Sequence, residues 1–358
     1  MSRAPRSIPG VLTAIVISFV VVTYALSFAL AAFAIIMTQL GPSLLRLNGV
    51  LPVYLFALIS LRIIPANGLI LITVLMAIFS ACFWAAAIDR GGFIASLKAL
   101  TRKSKPTSAP NWLVVMPLLS SSLLIVTVLL SILLNSSGVS VGSLPATTPE
   151  ELFASVAYAP VAEEVGFRIT PIGLLIVIRT LLPLHQGRGL TRAGPITVVG
   201  RIALAFFSPD RAKEDAGLPS IGTKGWHGIH WSEWILLGAT SILFGLAHSL
   251  SGAGWGPGKA LTAGLSGFAF GLVYLWFGSY ANILLHWSFN IYVFVILGSL
   301  AGGLYSDALA SLSFFATIFL SIAGLVYGIR WLKPVKTPIM QTATPLLLRH
   351  HNSKPLNE

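Results

Sequence analysis

The sequence predicts an all-α fold: a polytopic bundle of about eight transmembrane helices with one extra interfacial or re-entrant segment. Three observations carry that expectation. Of 358 residues, 55% are hydrophobic and only 9% charged, where a soluble domain usually carries about 25% charged residues. The apolar residues gather in uncharged runs of roughly 20, the length that spans a bilayer as a helix. The basic residues concentrate in alternate connections between those runs. Together these exclude an ordinary soluble enzyme, a disordered chain and a nucleic-acid-binding domain. The single cysteine, Cys82, excludes an intrachain disulfide and a cysteine metal cage.

The first run, about Val11 to Leu40, follows Arg3 and Arg6 as a signal peptide would, but exceeds the roughly 7–15 residues of a signal's apolar region. It reads as an uncleaved helix. Further spans are expected over about Gly68–Ile88, Trp112–Leu134, Glu150–Pro183, Trp234–Leu250, Ala260–Gly278, Ala281–Leu300 and Ala308–Ile329. Leu51–Ile59 is apolar but too short to span, which makes it the interfacial or re-entrant candidate.

Charge orients the spans. With both termini on the cytoplasmic side, 19 of the 23 basic residues fall in inner loops and tails. Arg46, Arg62 and Lys259 fall outside and Arg168 falls within a span. This divides the chain into an inner tail (1–10), N-terminal helices (11–134), an outer loop (135–149), a helical core (150–331) with an inner loop (184–232), and an inner tail (332–358). Ile196–Phe207 is apolar enough to lie on the membrane surface. The proline-bearing tail after Leu332 is expected to be loosely ordered. No internal repeat suggests a two-halved transporter.

The ionisable residues are more informative than the apolar ones. Nine of the 11 acids lie in loops, tails or helix ends. Only Glu163 and Glu164 lie deep in a span. Of seven histidines, only His248 and His286 do so. A charge at the bilayer centre costs at least ~2.5–3.5 kcal/mol, so each of these is a functional candidate. Glu164 and Arg168 are i,i+4 neighbours and can pair. Glu163, about 100° around the helix, lacks that partner. An unpaired carboxyl in apolar surroundings suits a general base near neutral pH. Pro171 removes a backbone hydrogen bond and is expected to kink this span. His286 and Asn290 share a helix face and can donate toward one point, as an oxyanion requires.

The ordered set Glu163-Glu164-x3-Arg168, Phe244-x3-His248 and His286-x3-Asn290 resembles the CPBP family of intramembrane proteases, the CAAX-processing and bacteriocin-processing enzymes also called the Abi family. The resemblance covers roughly residues 150–300. It implies an intramembrane glutamic endopeptidase without a cofactor. Its substrate would be a membrane-associated peptide or protein. By carry-over, Glu163 activates water, His248 helps position or deprotonate it, and His286 and Asn290 stabilise the oxyanion. Glu164, Arg168 and Phe244 support the site.

Three other readings compete. One is a zinc protease ligated by Glu163, His248 and His286, since three N/O ligands plus water form a valid catalytic zinc set. Another is a membrane scaffold or immunity protein. The third is a proton-coupled transporter. The sequence names neither the substrate nor the oligomeric state.

Helix rise raises a difficulty. Counted from the inner surface, His286 lies ~8 Å deep and His248 ~21 Å. Glu163 lies about 12 Å deep if its span leaves the membrane near Pro171 and about 30 Å if near Pro183. A later start of the fifth span, near Gly238, with a break at Pro171 and helix tilt, would bring the three together. Gly267 and Gly271 in the sixth span, with Gly264 nearby, permit close packing, read either as a contact that brings spans five and seven together or as ordinary glycine usage in membrane helices. Trp226, His227, His230 and Trp231 read as an interfacial aromatic belt rather than a metal patch.

Overall fold

A computed structural model describes residues 7–37, 39–46, 48–102, 110–143, 149–185, 195–251, 254–300 and 307–332. The expected tail after Leu332, residues 1–6 and residues 186–194 of the inner loop lie outside the described residues.

Helices occupy every stretch expected to span. They are α1 (Ile8–Met37), α3 (Gly68–Ile88), α5 (Trp112–Ser136), the pair α6 (Pro149–Glu164) and α7 (Thr170–His185), α11 (Trp231–Leu250), α12 (Gly258–Phe277), α13 (Ser279–Leu300) and α14 (Asp307–Leu332). Shorter helices connect them: α2 (Leu40–Arg46), α4 (Phe93–Leu100), α8 (Pro195–Phe207), α9 (Pro209–Asp215) and α10 (Ile221–Lys224). Among the described residues, α1, α3, α5, α11 and α12 contain segments long and apolar enough to cross a membrane. The chain is a multi-pass helical membrane protein.

The short apolar segment is neither a span nor a helix. It forms a hairpin of β1 (Asn48–Leu55) and β2 (Ile59–Asn67), antiparallel, with an irregularity between Leu51 and Pro52. A short apolar run is ambiguous between helix and strand. Pro52 disfavours a helix interior here, and Asn67 then caps α3 by accepting the Ile70 N–H.

The larger core lies between α1, α3, α5, α12 and α13. Trp287 of α13 stacks on Phe28 of α1 with ring centroids 5.1 Å apart and meets Phe79 of α3 at 5.6 Å. These aromatics hold α13 rigidly, and α13 carries His286. Asn111 fastens the start of α5, accepting from Leu113 N–H and donating to the Ala86 and Asp89 carbonyls. A second core joins α7, α8, α11 and α12 through Ile172, Ile176, Ala205, Leu237 and Tyr274.

Gly264, Gly267 and Gly271 of α12 face α11 and Arg168. A Cβ on Gly271 would collide with Leu237, and one on Gly245 of α11 with the Ala260 carbonyl. The two helices therefore touch backbone to backbone, as small residues allow.

The connection from α8 to α11 is a polar knot. Lys213 is fully buried, donating to the Gly228 carbonyl and pairing with Glu233 at 2.8 Å. Arg179 pairs with Glu233 as well. Asp210 accepts the Ile221 and Gly222 N–H groups at 2.7 and 2.9 Å. Its burial nonetheless raises the carboxyl pKa above the ordinary value. His230 is a helix cap: its Nδ1 accepts the Ser232 N–H while Glu233 reaches back to the His230 N–H. Trp226 and Trp231 are exposed beside it.

Candidate active site

The helix that carries the two glutamates changes its winding beside them. After Glu164, residues Val165–Ile169 form a π-helical turn, and α7 begins at Thr170. Pro171 lies in the first turn of α7, where a missing N–H is tolerated. The expected disruption at Pro171 therefore takes the form of a π turn ahead of it. The Thr170 N–H reaches back to the Val165 carbonyl. In the same register Pro171 has no N–H to offer Gly166, and the Gly166 carbonyl instead accepts the Ala57 N–H from the hairpin tip at 2.9 Å. Single π turns of this kind cluster at functional sites.

The π turn lies beside two carboxylates with different partners. Glu164 is fully buried. Its Oε1 lies 3.2 Å from Arg168 Nη1 and 2.6 Å from His286 Nδ1, and its Oε2 accepts from the Asn282 amide. Glu163 is partly open, and its Oε2 has no hydrogen-bond partner in the protein. That oxygen faces His248 Nε2 at 3.9 Å and His286 Nε2 at 3.7 Å. Both separations exceed a direct hydrogen bond.

Each histidine is fixed through its other nitrogen. His248 Nδ1 bonds the Phe244 carbonyl at 2.9 Å, and its ring meets Phe244 edge-on at 4.6 Å. A carbonyl only accepts, so Nδ1 carries the proton and Nε2 of the neutral ring offers its lone pair. His286 is held by Glu164 and stacks on Phe270 at 4.6 Å. With Nδ1–H donated to Glu164, its Nε2 donates as well whenever the ring is an imidazolium. Asn290 lies one turn further along α13 and is partly exposed.

Arg168 is the buried counter-charge. Its guanidinium lies 4.2 Å over the Phe244 ring, a cation–π contact on top of the ion pair. Gly267 makes room for it: a Cβ there would lie 2.6 Å from Arg168 Nη2 and 2.9 Å from Phe244 Cδ1. Phe244 thus contacts three site groups, holding His248, covering Arg168 and touching His286 edge-on at 5.9 Å.

The structure brings Glu163, Glu164, Arg168, Phe244, His248 and His286 into one place. The fifth helix does not start near Gly238; it starts at Trp231. His248 is 17 residues into α11 and His286 is 7 into α13, so the two helices are offset by about 15 Å along their axes. The assumption that fails is a common starting level. Asn282 was missed. Its signal is the same spacing read one turn earlier, Asn282-x3-His286, which places both on Glu164. Among the described residues no three His, Cys, Asp or Glu side chains are grouped to hold a metal ion.

Residues 145–292 match the family described as Rce1-like, type II CAAX prenyl endopeptidase. The matched segment begins just before α6 and ends just after Asn290, so it contains every residue of the cluster. The match is consistent with the CPBP resemblance of the motifs and supports a CAAX-type protease acting on a membrane-associated peptide or protein. No curated protein and no solved structure matches the chain.

Proposed function

We propose that the protein is an intramembrane endopeptidase in which Glu163 activates the attacking water, with both chain termini on the cytoplasmic side. One observation carries this reading: Glu163 Oε2 has no hydrogen-bond partner in the protein, yet faces two histidine Nε2 atoms at 3.7 and 3.9 Å. Those spacings suit groups that share a water rather than bond each other.

In this mechanism the water lies among the three atoms. Glu163 accepts one of its protons while its oxygen attacks the scissile carbonyl carbon. The lone pair of His248 Nε2 orients the water's second proton. The carbonyl π electrons move onto oxygen, and the oxyanion is met by His286 Nε2–H and the Asn290 amide. Glu164 serves this step indirectly, since its carboxylate on Nδ1 fixes the ring so that Nε2 faces the reacting centre. The tetrahedral intermediate collapses, the C–N bond breaks, and Glu163 returns its proton to the departing amine. The second water proton leaves on the new carboxylic acid, which passes it on to the new amine; the products are a carboxylate and an ammonium, with one water consumed.

Quenched peptides, prenylated and unprenylated, test this on purified protein in detergent. Wild type cleaves, wild type with a strong chelator cleaves equally, and Glu163→Gln does not. Loss with chelator would favour zinc held by Glu163, His248 and His286. Cleavage by Glu163→Gln would overturn the role given to that residue.

A further inference from the structure

The tip of the hairpin holds an unfavourable backbone conformation without glycine. Phe56 and Ala57 have φ of 52° and 61°. Such turns ordinarily use Asn-Gly or Gly-Gly, because side chains crowd the left-handed region. The turn closes through the Leu58 N–H to the Leu55 carbonyl at 3.3 Å. This geometry turns two N–H groups away from the hairpin, and both are taken by the helix that carries the glutamates. Ala57 N–H donates to the Gly166 carbonyl and Phe56 N–H to Thr170 Oγ1, each at 2.9 Å. The same hydroxyl donates to the Val165 carbonyl at 2.8 Å.

The rest of the strand follows that helix closely. The Tyr158 hydroxyl donates to the Pro52 carbonyl. Tyr54 backs onto Gly166, where a Cβ would lie 2.5 Å from Tyr54 Cβ. β1 therefore runs beside α6 and the π turn from Tyr158 to Thr170, passing the level of Glu163. Ala57 also packs against the cluster of Phe167, Phe244 and Ala263, and Phe244 holds His248.

We propose that Ala57 and Thr170 are positioning residues: the hairpin tip is a latch that holds the π turn, and through it the facing of Glu163 toward the two histidines. A π turn accommodates one residue more than an α turn. If it relaxed to α winding, α6 would rotate about 100° relative to α7. The second core anchors α7 through Ile172, Ile176 and Val177. The rotation would fall on Glu163 and Glu164 and carry Glu163 off His248 and His286. The latch satisfies the carbonyl that Pro171 leaves open, and its cost is borne as the two left-handed residues.

The proposal rests on the reading of Glu163 given above, so its test has an arm that needs no cleavage. Thr170→Val removes the bridging hydroxyl and Thr170→Ser keeps it. Ala57→Pro removes the N–H and forbids the positive φ, and Ala57→Gly keeps the N–H and relieves the crowding. In peptide cleavage, Thr170→Val and Ala57→Pro each lower kcat about ten- to hundredfold, the scale of a misplaced catalytic group, with KM nearly unchanged. Thr170→Ser and Ala57→Gly stay near wild type, and the double variant is no worse than the poorer single.

In hydrogen exchange, Thr170→Val speeds exchange at residues 54–58 and 165–170 while the rest of the bundle keeps its protection. Wild-type kcat in Thr170→Val, failure of Thr170→Ser to restore activity, or exchange raised uniformly across the bundle would overturn the latch. If wild type cleaves no peptide, the protease reading fails, and local exchange in Thr170→Val decides the latch alone.

Discussion

Arg168→Met isolates what the buried ion pair contributes. The Arg168 side chain is inaccessible to solvent, with Nη1 3.2 Å from Glu164 Oε1. Methionine keeps most of the volume against Phe244, so the cavity term is small. What remains is a buried carboxylate stripped of its counter-charge, which ordinarily costs about 3–5 kcal/mol. Glu164 keeps His286 and Asn282, which places the loss near about 3 kcal/mol, the lower end of that range. At roughly 2–4 °C per kcal/mol for a large domain, Tm falls by about 6–12 °C.

The assay is tryptophan-fluorescence melting in one detergent at one protein concentration. Glu164→Gln/Arg168→Met removes the orphaned charge with its partner and recovers part of the loss. A fall below about 2 °C, well under the range worked above, would refute the reasoning. So would a double variant that melts below Arg168→Met.

Asn282→Leu leaves Glu164 Oε2 without its donor and loosens His286, so kcat for peptide cleavage falls roughly tenfold, the scale of a lost positioning contact; unchanged kcat would remove Asn282 from the site. Gly267→Ala forces a shift of Arg168 or Phe244 and costs about 1–3 kcal/mol, read as a lower Tm together with lower activity. Gly245→Ala meets the Ala260 backbone, which cannot move aside as a side chain can, and lowers Tm at least as much. Asp210 gives a pH signature. Its folded pKa is raised, so its contribution is fully present below the unfolded value of about 3.9 and is lost as pH rises through the folded value. The Tm of wild type relative to Asp210→Asn therefore rises on acidification across that window. A pH-independent difference would contradict the assignment.

The spans and the motif residues were legible because both follow from counting. Apolar length marks a helix that must cross lipid, and a carboxylate or imidazole inside such a run must have a partner or a use. What could not be counted was long-range. The pairing of Leu51 with Ile64 and of Leu55 with Ile59 depends on a hairpin whose turn, Phe56-Ala57, carries none of the usual turn residues. The π turn had only Gly166 and Pro171 as signals, and both also fit a simple kink. Asn282 was hidden because a lone asparagine in a span becomes informative only when His286 and Glu164 are seen to share it. The depth difficulty came from measuring each helix from one plane, which the offset of α11 against α13 shows to be wrong.

The most direct measurement is a single turnover in ¹⁸O-water with enzyme in excess of a cleavable peptide, followed by mass spectrometry of both product and enzyme. If Glu163 acts as a base on water, one ¹⁸O enters the new carboxylate of the product and none enters the peptide containing Glu163. Label in the Glu163 carboxyl with unlabelled product would show that Glu163 attacks the substrate itself, and would contradict the mechanism at its centre.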